Sequence, residues 1–266
     1  MHLSALYRYP LKSAKAEALQ RSEVDLLGLN GDRRWMLVND TGRFLTQRAL
    51  PHMSQLSALY NDLGGLQLSA EGHPVLDIDL PGESAALRGV TVWGDTLQVP
   101  DAGDAAADWV SAFIGSPTRL VYVPEARARH IEAGYGLDDD RVAFADGFPL
   151  LLIGAASLDD LSERVGRPLE MLRFRPNLVI EGSAAFAEDG WKRIRIGEVE
   201  FRVAKPCGRC ILTTVDPQTG VRSADREPLT TLKTYRQQDG EVIFGQNLIS
   251  DGAGMLEVGM PVTLLD

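Results

Sequence analysis

Short β-rich runs joined by glycine-containing turns constrain the fold of this sequence more than any other feature. Residues 76–80 alternate apolar and acidic side chains with a period of two, which is typical of a half-buried strand. Gly94 and Gly197 each lie between two neighbouring runs, a pattern that predicts two hairpins. The runs are residues 76–80, 90–93, 97–99, 194–196, 199–203 and 262–265. Together they predict that strands dominate the fold.

Helical patterns are few. Residues 104–114 carry apolar side chains on one helical face, with Asp104 as the predicted N-cap and Gly115 as the end. A second helix is predicted from Ser157, and a third near Pro228. The fold class predicted from this mixture is mainly β or α+β, with β-barrels decorated by helices.

A turn-rich stretch, Pro-Asp-Ala-Gly at residues 100–103, precedes the first predicted helix. We therefore expect two domains, one of residues 1–100 and one of residues 101–266. A chain of 266 residues has room for either one or two domains with a sizeable core.

The formal net charge is −10, which disfavours nucleic acid as the main partner because phosphate backbones bind basic surfaces. A small anion needs only a few local cations and stays possible. No stretch has the roughly 20 apolar residues of a membrane span, and the first residues lack the pattern of a signal peptide. With only two cysteines, the simplest expected location is the reducing cytoplasm.

The pair Cys207-x-x-Cys210 is the sharpest local motif, and the residues alone leave four interpretations open. A structural zinc site needs four ligands, and no second cysteine pair exists. A thioredoxin-like dithiol belongs between a strand and a helix, whereas this pair lies between two strand-like runs, residues 199–204 and 211–215. Two inert, buried thiols form the third interpretation. The fourth is a single thiolate that binds a transition metal, since soft metals favour sulfur.

Several cationic residues stand at predicted strand boundaries beside hydroxyl or amide side chains. Lys12 is followed by Ser13, Arg33 precedes a strand at residue 35, and Arg175 precedes Asn177. Such groups together can hold a phosphate and a planar polar heterocycle through charge-assisted hydrogen bonds. Each taken singly is more often a surface charge than a ligand contact.

Glu188 and Asp189 are adjacent carboxylates that precede Gly190 and Trp191. One interpretation makes them acid–base groups. The alternative is an exposed turn with two solvated charges.

Over almost its whole length the sequence resembles the MOSC family, preceded by a MOSC N-terminal β-barrel domain. The motifs are Tyr-Pro-Leu-Lys-Ser from residue 9, Phe-Arg-Pro-Asn from 174, Ala-Glu-Asp-Gly-Trp from 187, Lys-Pro-Cys-Gly-Arg-Cys from 205, Glu-Pro-Leu-Thr-Thr-Leu from 227 and Phe-Gly-Gln-Asn from 244. Within the family it is most similar to the amidoxime-reducing components and to bacterial reductases of N-hydroxylated bases. The family is also associated with a pyridoxal phosphate binding-type domain.

The resemblance implies a molybdenum–molybdopterin cofactor whose metal is bound by Cys210. It implies that the cofactor is held by residues Lys12, Ser13, Arg33, Asp146, Arg175, Asn177 and Arg209. Residue 208 is glycine here where relatives often have serine, so a hydroxyl contact from that position is not expected.

The activity implied is the two-electron reduction of a small N-hydroxylated base or amidoxime, with Cys210 as the metal ligand and with Glu188 or Asp189 moving a proton. Some relatives continue into a ferredoxin domain. This sequence has too few cysteines for an iron–sulfur cluster, so we expect a separate ferredoxin- or flavin-type donor protein. Two rival hypotheses are a cofactor carrier or sulfur-transfer protein without turnover, and a family member that has lost its cofactor.

Overall fold

The computed structural model describes residues 1–265, in which strands greatly outnumber helices, as the sequence predicts. The strands of this range are β1 (His2–Arg8), β2 (Glu17–Leu19), β3 (Arg21–Asp25), β4 (Gly28–Leu29), β5 (Trp35–Asn39), β6 (Ser57–Tyr60), β7 (Leu66–Ser69), β8 (Leu76–Ile78), β9 (Leu87–Val92), β10 (Asp95–Pro100), β11 (Thr118–Tyr122), β12 (Arg129–His130), β13 (Arg141–Val142), β14 (Leu150–Gly154), β15 (Leu178–Glu181), β16 (Arg193–Ile196), β17 (Val199–Gly208), β18 (Gln237–Gln238), β19 (Glu241–Ser250), β20 (Gly254–Glu257) and β21 (Val262–Leu264). The mainly β fold class is confirmed.

Three α-helices occur in residues 1–265: α1 (Asp104–Ile114), α2 (Ala155–Val165) and α3 (Leu229–Tyr235). The short 3-10 helices are Pro51–Gln55, Glu125–Arg127, Met171–Arg173, Ala187–Gly190 and Ile211–Thr214. None of the helices in this part of the chain has the length and apolar character needed to cross a membrane.

Two local predictions about helices are wrong. Asp104 does not cap α1, because Gly103 is the N-cap residue and the Asp104 carboxylate accepts a hydrogen bond from Arg119 at 2.8 Å. Residues 211–214 form a 3-10 helix and not the predicted strand. There the hydroxyl of Thr213 donates to the Cys210 carbonyl at 3.0 Å, and the hydroxyl of Thr214 donates to the Ile211 carbonyl at 2.7 Å. Such local bonds compete with strand pairing.

The largest sheet of the described residues has the order β2-β1-β15-β14-β19-β17-β16-β21, with β18 added beside β19. Its pairs are antiparallel except β14 with β15. The first strand of the chain, β1, therefore lies among strands from the second half, and Leu6 faces Leu178 in the register. One face of this sheet forms a core that includes Leu3, Phe201 and Leu248.

The N-terminal half forms smaller sheets, namely β6-β7-β8, β5 with β11 and β9 with β10. Helix α1 packs on them, so Trp109 and Val110 share a core with Trp35 and Leu37. Both predicted hairpins are present, although β9 and β10 are joined by the two residues Trp93 and Gly94, a shorter turn than the one predicted. The predicted boundary at residue 100 stays a prediction.

Candidate functional site

A cavity lies where the loops of the N-terminal half meet the ends of β15 and β17. All eight residues that the family resemblance implies as cofactor or metal contacts line it, although they come from distant parts of the chain. These residues are Lys12, Ser13, Arg33, Asp146, Arg175, Asn177, Arg209 and Cys210. The space between these residues is about 780 Å³, counting the open solvent at its mouth.

Hydrogen bonds between backbone segments bring these residues together. The amide of Lys12 donates to the Trp35 carbonyl at 2.8 Å, and the amide of Arg33 donates to the Tyr9 carbonyl at 2.7 Å. The amide of Phe144 donates to the Arg33 carbonyl at 3.0 Å. Residues 9–12, 33–35 and 144–146 are therefore fixed against one another along one wall of the cavity.

The opposite wall is the loop that carries both cysteines. Strand β17 changes register against β19 twice, between Val203 and Lys205 and between Pro206 and Gly208. Irregularities of this kind bend a strand and change the direction of its side chains. The chain then leaves the sheet at Gly208, and Cys210 is the residue before the 3-10 helix Ile211–Thr214.

Cys210 is exposed, whereas Cys207 is half-buried and belongs to the surroundings of an apolar core. The guanidinium of Arg209 donates to the Cys207 sulfur at 2.9 Å and to the Phe174 carbonyl at 2.6 Å. Cys207 thus helps to position Arg209, while the exposed Cys210 lines the cavity. Two buried, inert thiols are excluded by the exposure of Cys210.

The other two interpretations of the cysteine pair also fail. In residues 1–265 no group of three or more His, Cys, Asp or Glu side chains is placed to hold a metal ion, so a structural zinc site is not supported. The pair precedes a four-residue 3-10 helix after an antiparallel strand, which is unlike the strand–helix setting of a thioredoxin-type dithiol. The fourth interpretation, a single thiolate that binds a soft transition metal, stays a prediction.

Lys12 is a buried cation with an exposed fraction of 4%. Its ammonium donates to the Phe144 carbonyl at 2.6 Å and to the Asp146 carboxylate at 2.5 Å. Burial lowers the pKa of Lys12 from 10.5 to about 8, and the neighbouring Asp146 only partly opposes this shift. An anion in the cavity would stabilise the charged lysine.

Arg33 and Arg175 lie over the ring of Tyr9, at 4.4 Å and 4.1 Å from its centroid. Arg33 also donates to Asp32 at 2.5 Å, whereas Arg175 has a carbonyl partner, Ala14, at 2.7 Å. The second terminal nitrogen of Arg175 is buried without a hydrogen-bond partner in residues 1–265. Burial lowers the pKa of Arg175 to about 10, so it stays charged at neutral pH.

Asn177 is fully buried, and both atoms of its amide are engaged. Its oxygen accepts from Arg33 at 3.0 Å and from the Leu151 amide at 3.1 Å, and its nitrogen donates to the Tyr7 carbonyl at 3.1 Å. These bonds link β1, β14 and the start of β15. The structure therefore supports a positioning role for Asn177, which holds Arg33 at the cavity.

Three of the lining residues have left-handed backbone conformations that non-glycine residues rarely adopt. The φ angles are 65° at Ser13, 49° at Arg33 and 57° at Arg175. Each such residue costs the folded state about 1–3 kcal/mol, and residues of this kind concentrate at ligand sites. The strain is retained here because neighbouring hydrogen bonds fix these loops.

The sequence patterns missed Arg48, which lines the cavity beside Asp146. Its guanidinium donates to the Asp146 carboxylate at 3.2 Å and lies 4.3 Å from the ring centroid of Trp93. Nothing around residue 48 marks it in the sequence, since its role depends on contact with residues 45 and 98 positions away. Five cations and one carboxylate thus line a cavity in a protein of net charge −10.

The proposed proton-transfer role of Glu188 and Asp189 finds no support in this geometry. Neither residue lines the cavity. Glu188 is 1% exposed and accepts hydrogen bonds from the Gly154 amide at 3.0 Å and the Ser157 hydroxyl at 2.7 Å, at the start of α2. Asp189 accepts from Gln246 at 2.8 Å and pairs with Arg236 at 2.6 Å. Both carboxylates therefore stabilise the fold, and the alternative of an exposed turn is also wrong for Glu188.

Comparison with known proteins shows which family the chain resembles. Residues 1–117 match the MOSC N-terminal beta barrel domain and residues 139–263 match the MOSC domain. The chain is 38% identical to mitochondrial amidoxime-reducing component 1 of Homo sapiens, over 99% of this chain and 82% of that protein. It is 36% identical to mitochondrial amidoxime reducing component 2 of Bos taurus, over 98% of this chain and 82% of that protein.

A further relative is the molybdenum cofactor sulfurase of Oryza sativa subsp. japonica. It is 32% identical over 92% of this chain, which corresponds to 32% of the sulfurase. The chain thus belongs to the MOSC family, as a protein that combines a MOSC N-terminal β-barrel domain with a MOSC domain and is related to the amidoxime-reducing components.

Proposed function

We propose that this protein reduces N-hydroxylated compounds, such as amidoximes and N-hydroxylated bases, with a molybdenum–molybdopterin cofactor bound in the cavity. The observation that carries the proposal is the convergence of Lys12, Arg33, Arg175 and Arg209 with the exposed Cys210 around one recess. Similarity to amidoxime-reducing components over nearly the whole chain supports the reaction type.

The residues fit the cofactor in charge and in donor chemistry. Arg175 and Arg209 each keep a buried nitrogen without a hydrogen-bond partner in the described chain, and phosphate oxygens accept such donors strongly. Asp146 offers a carboxylate for the ring N–H groups of a planar heterocycle, and its side chain is 60% exposed. Cys210 would be the metal ligand, because a thiolate is the soft donor that molybdenum requires from this set.

The cofactor, when bound, supplies the two-electron chemistry that breaks the N–O bond. In the overall reaction the N-hydroxyl compound takes up two electrons and two protons, and it leaves as the amine or amidine together with water. The protein contributes charge neutralisation by Lys12, Arg33 and Arg175. Asn177 and Cys207 contribute by holding Arg33 and Arg209 in place.

We further propose that the electrons come from a separate ferredoxin- or flavin-type protein. The sequence has two cysteines, and both line the cavity. A cluster of the ferredoxin type needs four cysteine thiolates, which these residues do not provide.

Metal analysis of single variants tests the cofactor assignment. Protein from a cofactor-competent host should contain about one molybdenum per chain, lost in Cys210→Ser and largely kept in Cys207→Ser. Cys207→Ser is the matched control, because it removes the other thiol of the same loop. Equal loss of molybdenum from both variants would point to a two-cysteine site, and stoichiometric zinc would contradict the assignment.

Turnover requires a second measurement. Loaded wild type, supplied with a reduced donor, should convert benzamidoxime to benzamidine, whereas Cys210→Ser should not. A cofactor carrier or sulfur-transfer protein is the second candidate, favoured by the sulfurase relative and the exposed Cys210. If loaded, reduced protein converts no N-hydroxylated compound but passes its cofactor to an apo-enzyme, the carrier function replaces the reductase function.

A further inference from the structure

A second, wider cleft opens directly beside the cofactor cavity. The two share one wall, formed by residues 146–148, Cys207, Gly208 and Asn247. The cleft encloses about 1360 Å³ with its open mouth, and none of the residues proposed above as phosphate contacts lines it. A molecule in this cleft would lie next to the loop that carries Cys210 while leaving the cationic wall free.

Trp93 provides this cleft with an exposed aromatic surface. Its side chain lies at the tip of the β9–β10 hairpin, is 43% exposed, and has a φ of 54°, which is rare for a bulky residue. The indole is nevertheless fixed, since Phe44 packs against it at 5.1 Å and its N–H donates to Asp146 at 3.3 Å. The guanidinium of Arg48 lies 4.3 Å from its ring centroid.

Most charges along the cleft are already paired within the protein. Asp95 pairs with Arg129 at 3.0 Å, and Glu132 pairs with Lys205 at 2.9 Å. Glu241, in contrast, forms no salt bridge within residues 1–265. The cleft therefore carries one carboxylate without an ion-pair partner; Lys205, which already pairs with Glu132, interacts with it only at longer range.

This carboxylate lies against the cysteine loop because residue 208 is glycine. A Cβ atom at Gly208 would lie 2.8 Å from a carboxylate oxygen of Glu241. The carboxylate of Glu241 thus occupies the space that a side chain at residue 208 would need.

We infer that this cleft is the substrate site, and that Trp93 and Glu241 select planar N-hydroxylated compounds with a cationic or donor-rich group. The inference rests on the proposed function. A flat amidine or guanidine group can stack on the indole ring of a tryptophan, where cation–π attraction stabilises it. Its N–H groups can donate hydrogen bonds to a carboxylate. Planar anions are disfavoured by Glu241, so compounds that carry a carboxylate should be poor substrates.

Three probes of one shape and different charge test the inference: benzamidinium, neutral benzamide and anionic benzoate. Of the four tryptophans, Trp35, Trp109 and Trp191 are 0%, 7% and 7% exposed, so quenching of tryptophan fluorescence in the loaded protein reports on Trp93. We expect benzamidinium to quench at lower concentration than benzamide, and benzoate to quench least. Glu241→Gln should lower the affinity for benzamidinium about two- to fivefold and leave the affinity for benzamide unchanged.

Glu257→Gln, an exposed glutamate on β20 away from the cleft, is the matched control and should bind all three probes as wild type does. Trp93→Gly removes the ring while glycine accepts the positive φ, so the hairpin should persist. By calorimetry this variant should bind benzamidinium about two- to tenfold more weakly.

Benzoate binding as tightly as benzamidinium, or Glu241→Gln and Trp93→Gly binding as wild type does, would overturn the inference. These measurements follow binding alone. Absence of turnover with intact, charge-dependent binding at Trp93 would therefore contradict the proposed reductase function and not the location of the site.

Discussion

Replacing Lys12 with methionine should stabilise the cofactor-free protein and lower its affinity for anions. The ammonium is 5% exposed by side chain, and burial lowers its pKa from 10.5 to about 8. At about 1.36 kcal/mol per pKa unit, the charged lysine costs the folded state about 3 kcal/mol at neutral pH. Methionine fills a similar volume without that charge. Asp146, which is 60% exposed and keeps Arg48 at 3.2 Å, tolerates the loss of its partner.

The stability difference between wild type and Lys12→Met should change with pH in one direction. Below about pH 8 the lysine is charged in both the folded and the unfolded chain, so the full cost is present. Between about pH 8 and pH 10.5 the unfolded chain binds more protons, and the stability of the wild type rises with pH. The advantage of Lys12→Met should therefore shrink from up to about 3 kcal/mol at pH 7 to about 1 kcal/mol at pH 9.5.

Urea denaturation of cofactor-free wild type and Lys12→Met at both pH values measures this difference. Lys192→Met, at an exposed position, is the control and should show no pH-dependent gain. The same Lys12→Met protein, purified from a cofactor-competent host, should retain less molybdenum than wild type. A variant that is less stable than wild type at pH 7, or whose gain is the same at pH 9.5, would refute the electrostatic reasoning.

Two further predictions concern charge at and near the cavity. Sulfate should bind cofactor-free protein with constant affinity below about pH 7 and more weakly as the pH rises through about 8, because Lys12 then loses its charge; calorimetry of Lys12→Arg should lack this fall, and a flat wild-type profile would contradict the assignment. Glu188→Ala should destabilise the protein by about 2–4 kcal/mol, because the Gly154 amide and Ser157 hydroxyl lose their buried acceptor. The pH profile of turnover should be the same in Glu188→Ala as in wild type. Loss of one pH-dependent slope of that profile would instead support a proton-transfer role for Glu188.

The sequence predicted elements well wherever the pattern is local. The hairpin around Gly197 follows from β-rich runs and a two-residue turn, and α1 ends at Gly115 with a φ of 82° as its pattern indicates. The strand predicted at residues 211–215 is wrong because two threonine hydroxyls bond back to the preceding carbonyls. Apolar and β-branched residues occur both in strands and in short 3-10 helices. Which of the two forms at residues 211–215 depends on the turn that the chain makes after β17.

For the site, resemblance and motifs identified Lys12, Arg175 and Cys210, but no spacing in the sequence places them in one recess. That convergence depends on β1 entering a sheet built from the second half of the chain, through pairs such as Leu6 with Leu178. For Glu188, in contrast, the tertiary structure places the residue away from the cavity. Its neighbours in sequence indicate a turn, and only the packing of α2 makes it a buried acceptor.

The strand-rich fold, the presence of a thiol at Cys210 and the number of cationic side chains follow from the amino-acid sequence alone. These depend on residue type and on contacts a few positions apart. The electrostatics of the cavity, the exposure of Trp93 and the position of Glu241 against Gly208 arise only from the three-dimensional packing. Burial and charge coupling act through space over a few ångströms, so residues more than a hundred positions apart, such as Lys12 and Asp146, set each other's protonation.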